Sequence, residues 1–221
     1  MKKILKWSPP LVVAMLFALP ASLHAKDEWK LVQTNEKDFS VSMPANAEMV
    51  EKKVQNVTIK AFTANEDGTN YSITHGAGVG SSPTADAADA IGNGAVGEFR
   101  KQAEKVHVAL TVDKKEDVKG IGWTGKKSYI SIGPAKLEML AALSENKNVG
   151  YCLVTASEKN ATPDQNFFNS FKVDTKITNE LYANKAQNLG EIIGIILGIV
   201  AGCGIGFFVV RTINQKKKLA S

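Results

Sequence analysis

Three histidines and two cysteines are the side chains in this 221-residue chain best suited to nucleophilic or metal chemistry: His24, His75, His107, Cys152 and Cys203. A thiol–imidazole pair needs Cys152 beside His75 or His107, with the imidazole in reach of the sulfur's proton. Cys152 lies instead in the apolar run Gly150-Tyr-Cys-Leu-Val-Thr155, where alternation places it with Val154. A cysteine there serves as a small hydrophobe. His75 and His107 are read on different strands, and neither has Cys, Asp or Glu at zinc-ligand spacing. Gly76-Ala-Gly-Val-Gly80 lacks the Lys-Ser/Thr ending of a phosphate loop and the βαβ setting around it. The carboxylates sit in mixed-charge runs such as Asp113-Lys-Lys-Glu-Asp117, which read as solvated surface. Asn56, Asn70 and Asn160 open N-x-[ST] triplets, which matter only in a glycosylating host. No catalytic, cofactor-binding or metal-binding residue is assigned, and the expectation is a protein that is not an enzyme.

Charge patterning says where the chain sits. It has 27 Lys and Arg against 22 Asp and Glu, a formal charge of +5. The excess is confined to the two ends. Lys2, Lys3 and Lys6 are the charged residues of the first 25, and Arg211, Lys216, Lys217 and Lys218 those of the last 30. The stretch between is net acidic, which excludes a nucleic-acid surface.

The N-terminal lysines precede a nine-residue apolar run, Leu11–Leu19, then Pro20 and small residues up to Ala25. Such a run makes roughly 14 Å of helix, too short for a bilayer core of about 30 Å. Residues 1–25 read as a secretory signal peptide. Ile192–Val210 is uncharged and spans roughly 28 Å as a helix, enough to cross a bilayer. Residues 191–210 are therefore expected to form a transmembrane helix, and 211–221 a basic cytoplasmic tail. Arg211, Lys216, Lys217 and Lys218 set the topology. Gly190, Gly194, Gly198, Gly202 and Gly206 fall four apart, on one face of that helix. This glycine zipper lets backbones approach closely, so homo- or hetero-oligomers through the helix are expected.

Residues 26–173 read as an exported domain and 174–190 as a polar stalk, part of it able to be helical. Strands begin at Trp29. Phe39, Val41 and Met43 alternate with serines up to Pro44. Val57 and Ile59 mark a second run before the turn Asn65-Glu-Asp-Gly68, and Tyr71 and Ile73 a third. Ser82 and Pro83 look like the N-cap and first position of a helix over 83–104. Val106, Val108, Leu110 and Val112 alternate as a strand, and 123–132 follows as another after a turn at Gly120 and Gly122. Lys136–Ser144 favours helix by composition and strand by alternation, and is read as a hairpin with Tyr151–Ala156. Thr162-Pro-Asp-Gln165 matches a capping box opening a short helix with Phe167, Phe168 and Phe171 on its apolar face. The sum is an α+β fold: six or seven strands in an antiparallel sheet packed with two helices.

Phe39-Ser-Val-Ser-Met-Pro44 resembles the F-x-V-x-[FM]-P opening of the PsbP-like superfamily, which includes the DcrB-type envelope proteins. Phe167-Phe-Asn-Ser-Phe-Lys172 resembles its closing F-x-x-SF-[KR] helix. The resemblance spans residues 29–173 and rests on structural motifs. It implies a non-catalytic accessory or assembly protein with no cofactor. The lipoprotein cysteine of the DcrB type is missing, and no metal- or partner-binding residue carries over.

The expected function is a single-pass membrane protein with its N-terminal domain in the periplasm, outside the plasma (bacterial inner) membrane. It would bind or assemble with an unknown protein partner. The alternatives are a tethered enzyme around His75, His107 or Cys152, and a small-ligand or lipid receptor with a pocket between sheet and helix.

Overall fold

The computed structural model describes residues 28–54, 57–77, 86–145, 149–158 and 161–182. The signal peptide, the apolar segment 191–210 with its glycine stripe, the basic tail, and Ser82 and Pro83 lie outside them. Among the described residues no helix is long and apolar enough to cross a membrane.

The architecture is α+β and mostly antiparallel sheet. Strands β3 (Glu48–Val54), β4 (Val57–Glu66) and β5 (Thr69–Ala77) form one meander. Strands β6 (Leu110–Gly120), β7 (Trp123–Ile132), β8 (Ala135–Ser144) and β9 (Val149–Ser157) form a second. The two join through β5 and β9 into one seven-stranded sheet of order β3-β4-β5-β9-β8-β7-β6. Helix α1 (Asp86–Lys105) carries the chain from β5, inside the sheet, to β6 at its far edge. A small sheet of order β1-β2-β10 joins Trp29–Gln33, Phe39–Pro44 and Lys172–Val173. Two short helices, α2 (Asn166–Asn169) and α3 (Thr175–Tyr182), flank β10.

Apolar periodicity explains the layering. On one face of the large sheet, Ile130, Leu137, Met139, Cys152 and Val154 pack under Ile91, Ala95 and Phe99 of α1. On the other, Phe62, Ile73, Tyr151 and Leu153 pack under Phe39, Val41 and Met43 of the small sheet. Strand β9 is buried along its whole length because both its faces are covered.

Turn chemistry fixes the register. Asp67 and Gly68 both have positive φ (47° and 74°), as a type I′ hairpin turn requires, and they close β4 onto β5 where the sequence places a turn.

Three expectations change, and two others take definite form. The described residues contain ten strands and three helices rather than six or seven strands and two helices. The alternation at Val106–Val112 becomes strand from Leu110 onward. Val106 and His107 belong to the end of α1, where Val108 N–H donates to Ala103 O and His107 N–H to Glu104 O. This is a Schellman closure with His107 as the left-handed residue, φ 54°. Lys136–Ser144 is entirely strand, paired with β9 as expected. The capping box at Thr162 does not cap: α2 begins at Asn166, whose N–H is held by Asp164 Oδ1 at 2.9 Å. In the stretch read as stalk, 175–182 is helix, capped by Asp174 Oδ1 on the N–H groups of Lys176 and Ile177.

Candidate functional site

His75 and Cys152 lie on the neighbouring strands β5 and β9. The register pairs Thr74 with Cys152 and His75 with Tyr151. That one-residue offset sends the two side chains to opposite faces of the sheet. Cys152 faces α1, fully buried, and burial pushes its thiol up to about 12. His107 is in the αL turn after α1. None of the three can act on another.

His75 faces the small sheet and is 3 % exposed. Its ring stacks on Tyr151 (centroids 5.8 Å apart) and meets Phe39 edge-on at 5.1 Å. Asp38, from the turn between β1 and β2, places Oδ2 4.0 Å from His75 Nδ1, too far for a direct hydrogen bond. The other carboxylate oxygen of Asp38 accepts from the Thr34 hydroxyl. Neither His75 nitrogen has a hydrogen-bond partner. Burial pulls the imidazole down to about 4, against the opposing pull of Asp38. Lys60, opposite His75 in the sheet, is paired at 2.6 Å with Glu36 from the same turn, and that pairing holds the Glu36 carboxyl below its usual range. The cluster ties the β1–β2 turn to the sheet.

The open feature lies elsewhere on the same face. The three-stranded layer is narrower than the sheet it covers. A groove of about 370 Å³ remains where β6, β7 and β8 pass beside α2 and β10. Trp123, Leu140, Phe168 and Phe171 line its apolar part, and Glu116, Lys119, Lys127 and Lys172 its polar part. The walls are fixed. Trp123 Nε1–H donates to Phe171 O at 3.1 Å, and Val173 N–H donates to Ile121 O at 3.0 Å. Trp123 fits under the β6–β7 turn because Gly120 has no side chain: a Cβ there would lie 2.4 Å from the indole.

The rim is partly committed. Glu116 accepts from Lys114 and from the Tyr129 hydroxyl, so its carboxyl is lowered. Lys127 reaches Glu138 at 2.8 Å and lies 4.4 Å over the Phe168 ring. The side chains of Lys119 and Lys172 are exposed and make no hydrogen bond or ion pair among the described residues. Sequence reasoning found the glycine turn and the phenylalanine face but did not join them. The groove draws on five elements, and no local spacing reports that.

The five glycines of the predicted association face, with Arg211, Lys216, Lys217 and Lys218, lie outside the described residues, as does His24. Among the described residues there is no group of three or more His, Cys, Asp or Glu able to hold a metal ion.

No family model matches the chain, and no curated protein matches it. Solved structures give distant likenesses. A Bacteroides thetaiotaomicron protein aligns over 68 % of this chain and 49 % of its own, at 12 % identity and TM-score 0.28, so the chain spans about half of that structure's length. PA94 of Pseudomonas aeruginosa, a protein of unknown function, aligns over 62 % of this chain and 98 % of its own, at 14 % identity and TM-score 0.29. The Saccharomyces cerevisiae Ran-binding protein Mog1p aligns over 77 % of this chain and 90 % of its own, at 8 % identity and TM-score 0.31.

Proposed function

We propose that the chain is an exported, single-pass protein of the plasma (bacterial inner) membrane whose PsbP-like α+β domain acts as a non-catalytic binding or assembly module. In this reading residues 26–173 face the periplasm, 191–210 cross the bilayer, and Arg211 with Lys216, Lys217 and Lys218 hold the tail inside. The helix associates through Gly190, Gly194, Gly198, Gly202 and Gly206. One observation carries the choice of binding over catalysis. His75 and Cys152 are sealed on opposite faces of the sheet, while the groove beside α2 and β10 is rimmed by Glu116, Lys119, Lys127 and Lys172 over largely buried aromatic residues. The two groups best suited to nucleophilic catalysis are thereby out of a substrate's reach, which favours binding over catalysis.

The test is purification of the native full chain from membranes in mild detergent, with identification of what co-purifies. A stoichiometric partner or a stable oligomer is expected. A clean monomer, or a chain found only in the soluble fraction, overturns the reading.

A further inference from the structure

We propose that the open edge of β1 is a docking site for one extended segment of a partner protein, which joins the small sheet as a further strand and lies over β3. The segment carries an apolar residue against Met49 and a basic residue two places along, beside Glu51. The inference rests on the reading of the domain as a binding module and names the kind of partner it takes.

Three observations fit together. First, the edge of β1 is open. Ser42, opposite Leu31 in the ladder, donates its N–H at 2.8 Å to Ser170 Oγ, on the β10 side of β2. Leu31 and Ser42 are therefore a non-hydrogen-bonded pair, and the N–H and C=O of Leu31 point away from β2. Those of Trp29 and Gln33, two residues to either side, point the same way. Among the described residues none of these outward groups has a hydrogen-bond partner.

Second, this edge lacks the devices that keep strands apart. By contrast β6, at one edge of the large sheet, is bulged between Val112 and Lys114 and carries Asp113, Lys114, Lys115, Glu116, Asp117 and Lys119. β1 pairs with β2 without a register shift, and its one charged side chain, Lys30, is turned back onto Ala45 O and Ala47 O. Beside it Leu31 is 60 % exposed.

Third, a ledge lies beneath the edge. Trp29 at one end of β1 and Glu36 beyond the other bond Glu66 and Lys60 of β4, so β1 runs over β4. β3 is the next strand out and the last of the large sheet. Met49 pairs with Phe62 and Glu51 with Lys60, so both are on the face that the small sheet covers elsewhere. Yet Met49 is 46 % exposed, and Glu51 is exposed beside it. A strand added at β1 lies above β3, bonds the outward groups of Trp29, Leu31 and Gln33, and covers Met49. Strand addition draws affinity from such main-chain bonds and specificity from alternate side chains. Glu51 makes the choice of a basic residue at that position. A second copy meeting edge to edge would bring its own β3 into the same space, so the slot suits a single strand.

The probe is the peptide acetyl-TVTKTVT-amide, titrated by calorimetry into the full chain held in phosphatidylcholine nanodiscs, with empty nanodiscs as reference. It reads the same in both directions, so either orientation can turn Val-Lys-Val toward β3. The expected result is saturable binding with a Kd of about 1 mM or tighter. Leu31→Pro deletes one outward N–H that the ladder with β2 does not use, a change that edge strands tolerate. It should weaken binding at least about tenfold, and Leu31→Ala, which keeps the N–H, should weaken it less. Glu51→Lys, at an exposed position, should reverse the preference toward acetyl-TVTETVT-amide.

No saturable binding by about 10 mM overturns the proposal, as does equal affinity in the Leu31→Pro chain or an unchanged preference in the Glu51→Lys chain. A dimer that Leu31→Pro dissolves, in a chain that binds no peptide, would assign the edge to a second copy and overturn the partner site. A failed titration with an intact co-purifying partner would remove the edge site and leave the binding-module reading standing.

Discussion

His75 and Cys152 are neighbours in the sheet yet cannot meet, because His75 pairs across the ladder with Tyr151 and Cys152 with Thr74. One residue of register places an imidazole under the small sheet and a thiol under α1. Two groups that could form a nucleophilic pair are thereby both built into core. Each is fully enclosed, and burial disfavours the charged form of each.

The first prediction concerns the thiol. With its acidity pushed to about 12 and no exposed surface, Cys152 has almost no thiolate at neutral pH and no route for a reagent. In a Cys203→Ser background, native protein should take up N-ethylmaleimide at least a hundredfold more slowly than protein unfolded in guanidinium. Comparable rates in the two states would show that the β9–α1 interface opens freely.

The β6–β7 turn supplies a second prediction. Gly122 has φ 78°, and a Cβ there would stand 2.1 Å from Val173 O. Gly122→Ala therefore combines left-handed strain with a backbone clash, and about 2–4 kcal/mol should be lost. Gly97, in the middle of α1, has open space where its Cβ would be. Gly97→Ala should add about 0.5–1 kcal/mol by helix propensity. Urea unfolding of both variants checks the pair. Equal effects would mean that the hairpin does not close on β10.

How legible this was depended on whether the deciding contacts are local. The strand Phe39–Pro44 could be read because one face is core and alternation survives: Phe39, Val41 and Met43 are buried, and Ser40 and Ser42 only partly so. Lys136–Ser144 looked double because Leu140 and Ala142 face the small sheet while Leu137, Met139 and Ala141 face α1. A strand covered on both faces loses its period of two. The run Val106–Val112 failed for another reason. His107 adopts αL to close the helix, and alternation carries no signal for a C-cap without glycine. The groove was the least legible feature. Its floor is Trp123 on β7, Leu140 on β8, Phe168 on α2 and Phe171 beyond it, brought together by pairing across more than forty residues of chain.

The apolar segment supplies a third prediction, from spacing alone. In the proposed helix, leucine at two central positions of the glycine stripe would fill the groove through which backbones are expected to approach. Gly198→Leu with Gly202→Leu should reduce self- or partner association in a membrane two-hybrid assay by at least severalfold, with expression and insertion unchanged. An undiminished signal would assign the glycines to composition rather than contact.

The fourth prediction is a pH dependence. His75 titrates at about 4 when folded against an ordinary value of 6.5, chiefly through burial. The unfolded chain therefore takes up the proton first as pH falls. Between about 6.5 and 4 it binds more protons than the folded chain, so stability declines as pH drops through that window. The contribution is whole above 6.5 and lost below about 4, and a few kcal/mol are at stake. The groups around the ring are Asp38 and Glu36, which favour the imidazolium, Lys60, which opposes it, and the stacked Tyr151. Glu36 acts in a lower window: its depressed carboxyl lends stability above its ordinary value of 4.5 that is lost as pH falls further. His75→Phe removes the titration and two ring nitrogens without hydrogen-bond partners, while keeping a flat ring against Phe39 and Tyr151. Its stability at pH 7 should change by less than about 1 kcal/mol, because replacing an unsatisfied buried polar group by an apolar one of similar shape costs little. Its urea midpoint should hardly move between pH 6.5 and 5, where the parent's falls. Parallel curves for the two proteins would mean that the imidazole is free to ionise in the folded chain, and the enclosed position of His75 would be wrong.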